Sequence, residues 1–255
     1  MELRIALCQC DIAWEQPARN LARLEPMVAA AEADVVLLPE LFATGFTLDP
    51  AGVADGAGGA VVTALRRWAA RYGKAVAGSV AVAENGRFYN RMYFVKPSGE
   101  FIGYDKRHLF APGGEARQYT PGDSRAVVEY GGVRFLLLVC YDLRFPELFR
   151  HLALQGAQLI FCPAEWPEAR GDIWRLLAQA RAAENHTFVV AVNCAGSFKG
   201  APFYGHSMVV APSGKILAEA GMQEEVVSCE IDLADVARVR SRLNALADVR
   251  KELIQ

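Results

Sequence analysis

The stretch LLLVCYDLRFPELFR, residues 136–150, combines a strand, a turn and a helix. Its first residues form an unbroken apolar run, which is typical of a strand that is buried on both faces. From Phe145 onward the apolar residues are spaced as in a helix, and Pro146 suits the first helical turn, where no N–H is needed. Cys140 lies between the two patterns and is followed closely by Asp142 and Arg144. The stretch therefore predicts a thiol on a charged turn at the end of a buried strand.

Similar apolar strands recur on both sides of this stretch. Helical spacing predicts helices over 17–32, 61–72, 145–155 and 172–185, between and beside the strands. Strands alternate with helices early in the chain and meet in hairpins late, which favours mixed sheets in an α/β fold. Two sheets packed face to face with helices outside would use this many strands. The strands are predicted at 3–9, 35–39, 75–83, 91–96, 125–130, 133–139, 157–162, 188–194, 206–212, 215–220 and 224–231.

Two hairpins share a turn sequence. YFVKPSGEFIGYD (93–105) and VVAPSGKILAEA (209–220) both read as strand, Pro-Ser-Gly turn and strand. They are candidates for equivalent parts of two half-repeats. The chain contains no linker-like or low-complexity tract, so we expect one domain over residues 1–255.

Composition narrows the class of protein. Lys and Arg number 27 against 29 Asp and Glu, and this balance argues against a nucleic acid or an acidic membrane surface as a general partner. Apolar residues make up 53% of the chain, yet no run reaches the ~18 residues of a membrane-spanning helix. The amino-terminal residues lack the pattern of a signal peptide. With six cysteines and no export signal, we expect reduced thiols and a cytoplasmic location.

Two further ionisable groups lie at the ends of predicted strands. Glu40 directly follows the apolar run at 35–39, and Lys106 follows the strand that ends in GYD. A carboxylate at such a buried position must be paired or functional, and ligands of α/β sheets gather at strand ends. Cys140 could instead be a small buried core residue, and Glu40 and Lys106 could each be a structural ion-pair residue. The occurrence of three reactive groups at strand ends favours a catalytic site, with the Cys140 thiol held partly as thiolate.

Three segments carry a family resemblance. LLPELFATGF, YDKRHLF and CYDLRFPE, in this order and spacing, resemble the nitrilase superfamily of carbon–nitrogen hydrolases. The Tyr-Asp pair after Cys140, EWP at 165–167 and ARAAEN at 180–185 are similar to omega-amidases. The resemblance implies a four-layer α-β-β-α sandwich of two mixed sheets. It also implies a homodimer, in which residues 234–255 are a candidate crossing segment, and chemistry without metal or cofactor.

The resemblance also implies a role for each reactive group. Glu40 is expected to be the general base and Cys140 the nucleophile that forms a thioester with the acyl group. Lys106 and the backbone N–H of Tyr141 are expected to stabilise the oxyanion. Glu115, the second glutamate, lies in the loop after the lysine and is expected to orient Lys106 or the substrate.

Omega-amidases cleave the terminal amide of short 2-oxo-dicarboxylic acid monoamides, so the distal carboxylate of the substrate requires a cation. Arg144 is the first candidate and Arg170 the second; alternatively, Arg144 pairs with Asp142 or Glu147. Glu165 stands where the family often has asparagine, and an anion there would disfavour an anionic substrate. The expected apolar wall consists of Phe42, Phe46 and Trp166.

Other functions stay open at this point. Within the class they are an amidase or carbamoylase of different acyl specificity and, less favoured by the resemblance, a nitrilase. A non-catalytic binding protein on the same fold is the alternative from another class. A papain-like Cys–His pair lacks a local motif, and Cys8 and Cys10 fit two core thiols better than a zinc site. The candidate histidines for such a pair are His108, His151, His186 and His206.

Overall fold

The computed structural model describes residues 1–56, 58–124, 127–250 and 252 of the chain. The helices are α1 (Pro17–Ala30), α2 (Ala60–Tyr72), α3 (Pro146–Leu154), α4 (Gly171–Asn185) and α5 (Ala234–Arg242). The strands are β1 (Glu2–Gln9), β2 (Val35–Leu37), β3 (Ala75–Glu84), β4 (Arg87–Val95), β5 (Phe101–Asp105), β6 (Val127–Tyr130), β7 (Val133–Leu137), β8 (Leu159–Pro163), β9 (Phe188–Val192), β10 (Ser197–Phe198), β11 (Ala201–Pro202), β12 (Met208–Val210), β13 (Ile216–Glu219) and β14 (Glu225–Asp232). None of these helices is long and apolar enough to cross a membrane.

The strands form two large mixed sheets and a short hairpin of β10 and β11. The first sheet has the order β14-β1-β2-β3-β4-β5 and the second the order β13-β12-β9-β8-β7-β6. In each sheet three parallel strands are flanked by antiparallel ones, β1-β2-β3 in the first and β7-β8-β9 in the second. The predicted arrangement of two mixed sheets is thus confirmed.

Both faces of each sheet are covered. Phe94 of the first sheet packs against Phe135 and Phe161 of the second, with ring centroids 4.8 and 6.3 Å apart. On the outer face of the first sheet, side chains such as Val36 pack with Trp68 of α2 in a separate apolar cluster that also includes residues of α1. Helices α3 and α4 cover the second sheet. The four layers follow from strands that are apolar on both faces.

The two hairpins with the Pro-Ser-Gly turn occupy equivalent places. One joins β4 to β5 and the other joins β12 to β13, and each lies antiparallel beside the third parallel strand of its sheet. The topology is therefore the same over β1–β5 and over β7, β8, β9, β12 and β13. This correspondence supports the hypothesis of two half-repeats.

Some predicted strands end too late. Strands β2, β7 and β9 each end two residues before the apolar run does, and the remaining residues lead into the turns described below. An apolar run indicates that its residues are buried and does not distinguish a strand from a buried turn. The residues that follow these strands are buried as well, so the apolar runs extend past the strand ends. Of the strand predicted at 125–130, residues 125 and 126 lie outside the described residues.

Candidate active site

Three strand ends that carry ionisable groups meet at one edge of the two sheets, and a fourth ionisable group joins them from a loop. Glu40 follows β2, Lys106 follows β5 and Cys140 follows β7, while Glu115 lies in a short 3₁₀ helix after Lys106. Glu40, Lys106 and Glu115 are completely buried, and Cys140 is 9% exposed. The structure therefore brings together the four residues that the sequence singled out for catalysis.

Lys106 lies between two carboxylates. Its Nζ donates to Glu40 Oε1 at 2.7 Å and to Glu115 Oε2 at 2.8 Å. Asn90 of β4 donates from Nδ2 to the same two carboxylates, at 2.8 Å to Glu40 and 3.0 Å to Glu115. The N–H of Phe110 donates to Glu115 Oε2 at 2.6 Å. These donors fix both buried carboxylates in place.

Asn90 was not anticipated from the sequence. It is buried in a strand whose neighbouring residues are mostly aromatic, apolar or arginine. An asparagine in a buried strand needs hydrogen-bond partners, and that requirement is the signal that could have identified it.

The charges around Lys106 and Cys140 determine their protonation. Burial lowers the pKa of Lys106, but the adjacent Glu115 and Glu40 outweigh burial and raise it well above its usual value. The pKa of the Cys140 thiol is raised well above its usual value by burial and by Glu40, and Lys106 only partly opposes them. The thiol is therefore protonated in the free protein, and the expected partial thiolate is wrong, because burial and Glu40 outweigh the cation.

Asp142 holds the turn that presents Cys140. Its carboxylate accepts hydrogen bonds from the N–H of Val139 at 3.0 Å, the hydroxyl of Tyr104 at 2.8 Å and the N–H of His108 at 3.0 Å. Cys140 itself has φ of +47°, a conformation that L-residues rarely adopt and that persists only where surrounding contacts enforce it. Asp142 thus ties the Cys140 turn to β5 and to the loop after Lys106.

A cavity of ≈ 580 Å³ opens above Cys140. Glu40, Cys140 and Glu165 line it together with aromatic and further charged side chains, and a concave site with apolar walls and convergent polar groups is typical of small-molecule sites. Of the predicted apolar wall, Phe46 and Trp166 line the cavity. The aromatic residues that sequence reasoning missed are Trp14, Phe110, Phe198 and Phe203.

Phe42 does not belong to the cavity wall, and its prediction as a substrate-binding residue is wrong. Its ring is completely buried in the apolar cluster between the first sheet and helices α1 and α2. Leu41 has φ of +43°, so the turn after Glu40 places Phe42 on the far side of the sheet from Cys140.

Three cationic side chains of the described residues line the cavity. The Arg144 guanidinium lies 4.9 Å from the ring centroid of Trp166, and no ion pair joins it to a carboxylate among the described residues. Its alternative pairing with Asp142 or Glu147 is therefore not observed. Arg170 is exposed and lies 5.4 Å from the ring of Phe110. Lys199, in the β10–β11 hairpin, is a third cation, which the sequence analysis missed.

Glu165 lies beside Glu40 at the base of the cavity. Its backbone N–H donates to Glu40 Oε2 at 3.1 Å, and its side chain is 8% exposed. Burial, followed by the charge of Glu40, raises the pKa of Glu165 well above its usual value, although a backbone hydrogen bond from Phe46 opposes them. This shift favours the uncharged form of the Glu165 carboxyl, which weakens the expected conflict with an anionic substrate.

The arrangement does not fit a Cys–His pair or a zinc site. Within the described chain no histidine lines the cavity, and His108 lies against Asp142 with Nδ1 2.8 Å from Oδ1. Cys8 and Cys10 are buried on one side of the first sheet, as expected of core thiols. The described residues contain no group of three or more potential metal ligands.

Comparison with known proteins gives matches over nearly the whole chain. The model of the carbon–nitrogen hydrolase family matches residues 4–241. The chain is 40% identical to a 2-oxoglutaramate amidase of Bacillus subtilis, over 99% of this chain and 100% of that protein. It is 36% identical to omega-amidase YafV of Yersinia enterocolitica, over 99% of this chain and 98% of that protein. Its fold is similar to that of a CN-hydrolase superfamily protein from Xanthomonas campestris with an arsenic adduct in the active site, with a TM-score of 0.94, 37% identity and coverage of 98% and 97%.

Proposed function

This chain belongs to the carbon–nitrogen hydrolase family, and on that premise we propose that it is an omega-amidase. It hydrolyses the terminal amide of a short 2-oxo-dicarboxylic acid monoamide and releases ammonia. The observation that carries the proposal is the buried cluster of Glu40, Lys106 and Glu115 beside Cys140. The same cavity is lined by Arg144, which forms no ion pair with a carboxylate among the described residues. The 2-oxoglutaramate amidase and the omega-amidase among its relatives support this choice of substrate.

In the first step the Cys140 sulfur attacks the amide carbon. Its proton passes to Glu40, whose charge acts on the thiol and which accepts its hydrogen bond. The carbonyl electrons move to oxygen, and we assign stabilisation of this oxyanion to Lys106 and the backbone N–H of Tyr141. A protonated thiol with an adjacent buried carboxylate suits this order of events, because the carboxylate removes the thiol proton only as the new carbon–sulfur bond forms.

In the second step the carbon–nitrogen bond breaks. The proton on Glu40 passes to the leaving nitrogen, ammonia departs and the acyl group stays on Cys140 as a thioester. A water molecule then attacks the thioester carbon and gives a proton to Glu40, the carbon–sulfur bond breaks, and the sulfur recovers that proton as the acid leaves. Glu115 keeps Lys106 oriented through its two hydrogen bonds to Nζ. No metal or cofactor is needed for any of these proton transfers.

Arg144 is the residue that we assign to the distal carboxylate of the substrate. Its guanidinium lies along the cavity wall over Trp166 and can form a two-hydrogen-bond pair with a carboxylate. Arg170 is the second candidate, at a more exposed position. Phe46 and Trp166 supply apolar surface for the methylene groups between the amide and the carboxylate.

The principal test is ammonia release from a panel of short amides. Cys140→Ala should fold normally and lose several powers of ten in turnover, because the covalent route is removed. Cys229→Ala is the matched control, since Cys229 lies on β14, outside the cavity, and this variant should remain active. A mass increase on the wild-type protein equal to the acyl group would identify the thioester. If Cys140→Ala keeps more than a few percent of activity, the mechanism is wrong, and a wild-type protein that hydrolyses none of the amides contradicts the proposed function in favour of a binding protein.

Substrate choice is tested separately through Arg144→Lys, which keeps the charge but loses the forked geometry. A 2-oxo acid monoamide should lose on the order of ten- to a thousandfold in kcat/KM, equivalent to ~1.4–4 kcal/mol, and KM should rise more than kcat falls. A neutral amide of equal length should lose little. Equal losses on both substrates would mean that Arg144 supports the Cys140 turn, and Arg170 would be tested next. Activity on neutral or carbamoyl substrates alone would favour the alternative acyl specificities.

We further propose that residues 1–255 form one domain and that the protein acts as a cytoplasmic homodimer with no nucleic-acid or membrane partner. The pairing of β1 with β14 supports the single domain, because it joins the early and late parts of the chain. The near-balanced charge supports the absence of a nucleic-acid partner. Light scattering at micromolar concentration tests the dimer, and a monomeric mass would refute it.

A further inference from the structure

Glu165 has an unusual environment for a carboxyl group. It lines the cavity close to the nucleophile, yet its side chain is almost completely buried. Its Oε1 has no hydrogen-bond partner among the described residues. The backbone hydrogen bond from Phe46 would leave an ionised Glu165 with one unpaired oxygen and no counterion, which is costly because the buried charge loses its hydration. The Glu165 carboxyl therefore either stays protonated or gains a hydrogen-bond partner only when the substrate binds.

The charges that face Glu165 do not provide a counterion. Lys106 is the buried cation of the site, and both Glu40 and Glu115 already bind it. Ionisation of Glu165 would give three buried carboxylates for this single buried lysine. The titratable groups that act on Glu165, or on which it acts, are Glu40, Lys106, Glu115, Tyr119, Cys10 and Cys194, and Cys140 and Arg144 share the cavity with it. Burial and Glu40 both favour the uncharged acid.

We propose that Glu165 is a specificity residue that binds the substrate as an uncharged carboxylic acid and donates a hydrogen bond from its O–H to a substrate oxygen. This inference rests on the amide hydrolysis proposed above and adds a protonation requirement to it. The acceptor is an oxygen of the 2-oxo or carboxylate group, since an acid that carries its proton attracts such an oxygen and an ionised acid repels it. A carboxylic acid also offers both a donor group and an acceptor group, as the amide of asparagine or glutamine does.

The pH dependence of substrate binding follows from the direction in which the pKa of Glu165 is shifted. An acid with a raised pKa stays protonated to a higher pH than an ordinary glutamate and ionises only as the pH rises through its pKa in the folded protein. Ionisation would remove the donor and place a negative charge beside an anionic substrate. In the wild-type protein, KM for a carboxylate-bearing amide should therefore rise at alkaline pH, with a smaller effect on a neutral amide of equal length.

Glu165→Gln provides the decisive comparison, because glutamine keeps the shape and the donor at every pH. The variant should keep kcat/KM within a few-fold of wild type at neutral pH and lose the Glu165-dependent alkaline rise in KM. Glu165→Ala should lose tenfold or more at neutral pH. Glu168→Gln, an exposed change three residues further along the chain, is the control and should keep the wild-type pH profile. If Glu165→Gln is as impaired as Glu165→Ala, or if its alkaline profile matches that of wild type, the proposal is wrong.

A spectroscopic measurement separates this proposal from the proposed function. The infrared difference spectrum between wild type and Glu165→Gln at neutral pH should contain the C=O stretching band of a protonated carboxylic acid, and that band should disappear from wild type as the pH is raised. The measurement needs no turnover, so it applies even if the amide panel gives no activity. If the variant does not fold, the wild-type titration alone decides. Carboxylate bands without the acid band at neutral pH would overturn the proposal.

Discussion

Replacement of Lys106 by methionine tests how strongly the buried charge cluster stabilises the protein. Methionine keeps much of the volume of lysine but removes the hydrogen bonds to Glu40 at 2.7 Å and to Glu115 at 2.8 and 3.1 Å. Both carboxylates are completely buried. They would keep the donors of Asn90 and two backbone N–H groups but lose their cation.

The expected magnitude follows from burial. Removal of one partner from a buried ion pair typically destabilises a protein by ~3–5 kcal/mol, because the remaining charge is uncompensated. Two carboxylates lose their partner here, so we expect a loss near the upper end, about 5 kcal/mol at neutral pH. Lys96→Met is the matched control. Its pair with Glu100 is partly exposed, at 20% and 61%, so its loss should be only ~0.2–1 kcal/mol.

The stabilisation that Lys106 contributes should also depend on pH. The raised pKa of Lys106 means that its stabilisation is fully present at neutral pH and is lost only as the pH rises through the value in the folded protein. Urea unfolding at pH 7 measures the loss in the free energy of unfolding. The double variant Lys106→Met, Glu115→Gln should recover part of that loss. A loss no greater than that of Lys96→Met would refute the reasoning.

Three further changes should alter stability. Asp142→Asn leaves a donor such as the Tyr104 hydroxyl without its acceptor and should cost ~1–3 kcal/mol and reduce kcat, measured by urea unfolding and ammonia release. Gly78→Ala places a methyl group 2.9 Å from Phe42 Cδ1 and should cost ~1–3 kcal/mol in urea unfolding, and unchanged stability would contradict this close packing. Glu165→Gln should be more stable than wild type, and the difference in the free energy of unfolding should grow with pH. The growth is up to about 1.4 kcal/mol per pH unit between the unfolded-state pKa of glutamate and the raised folded-state pKa of Glu165. Melting temperatures across that range would show a constant difference if this is wrong.

The sequence by itself determined most of the elements and the positions of the reactive groups along the chain. Apolar runs located the strands because burial on both faces requires apolar residues at every position. The same runs placed Glu40 and Cys140 just beyond strand ends, where a change from apolar to charged residues is visible locally. The shared Pro-Ser-Gly turn indicated the repeated hairpins, since a tight turn demands particular residues over a short distance.

The tertiary structure decided what those groups contact. Asn90 and Lys106 reach the same carboxylates because strands from distant parts of the chain end at one edge, and no local pattern encodes that strand order. Phe42 and Phe46 have similar local sequence contexts, yet the turn after Glu40 directs only Phe46 into the cavity. The protonation of Glu165 likewise depends on burial by other segments and on the charge of Glu40, because desolvation and Coulomb interactions act through space and not along the chain.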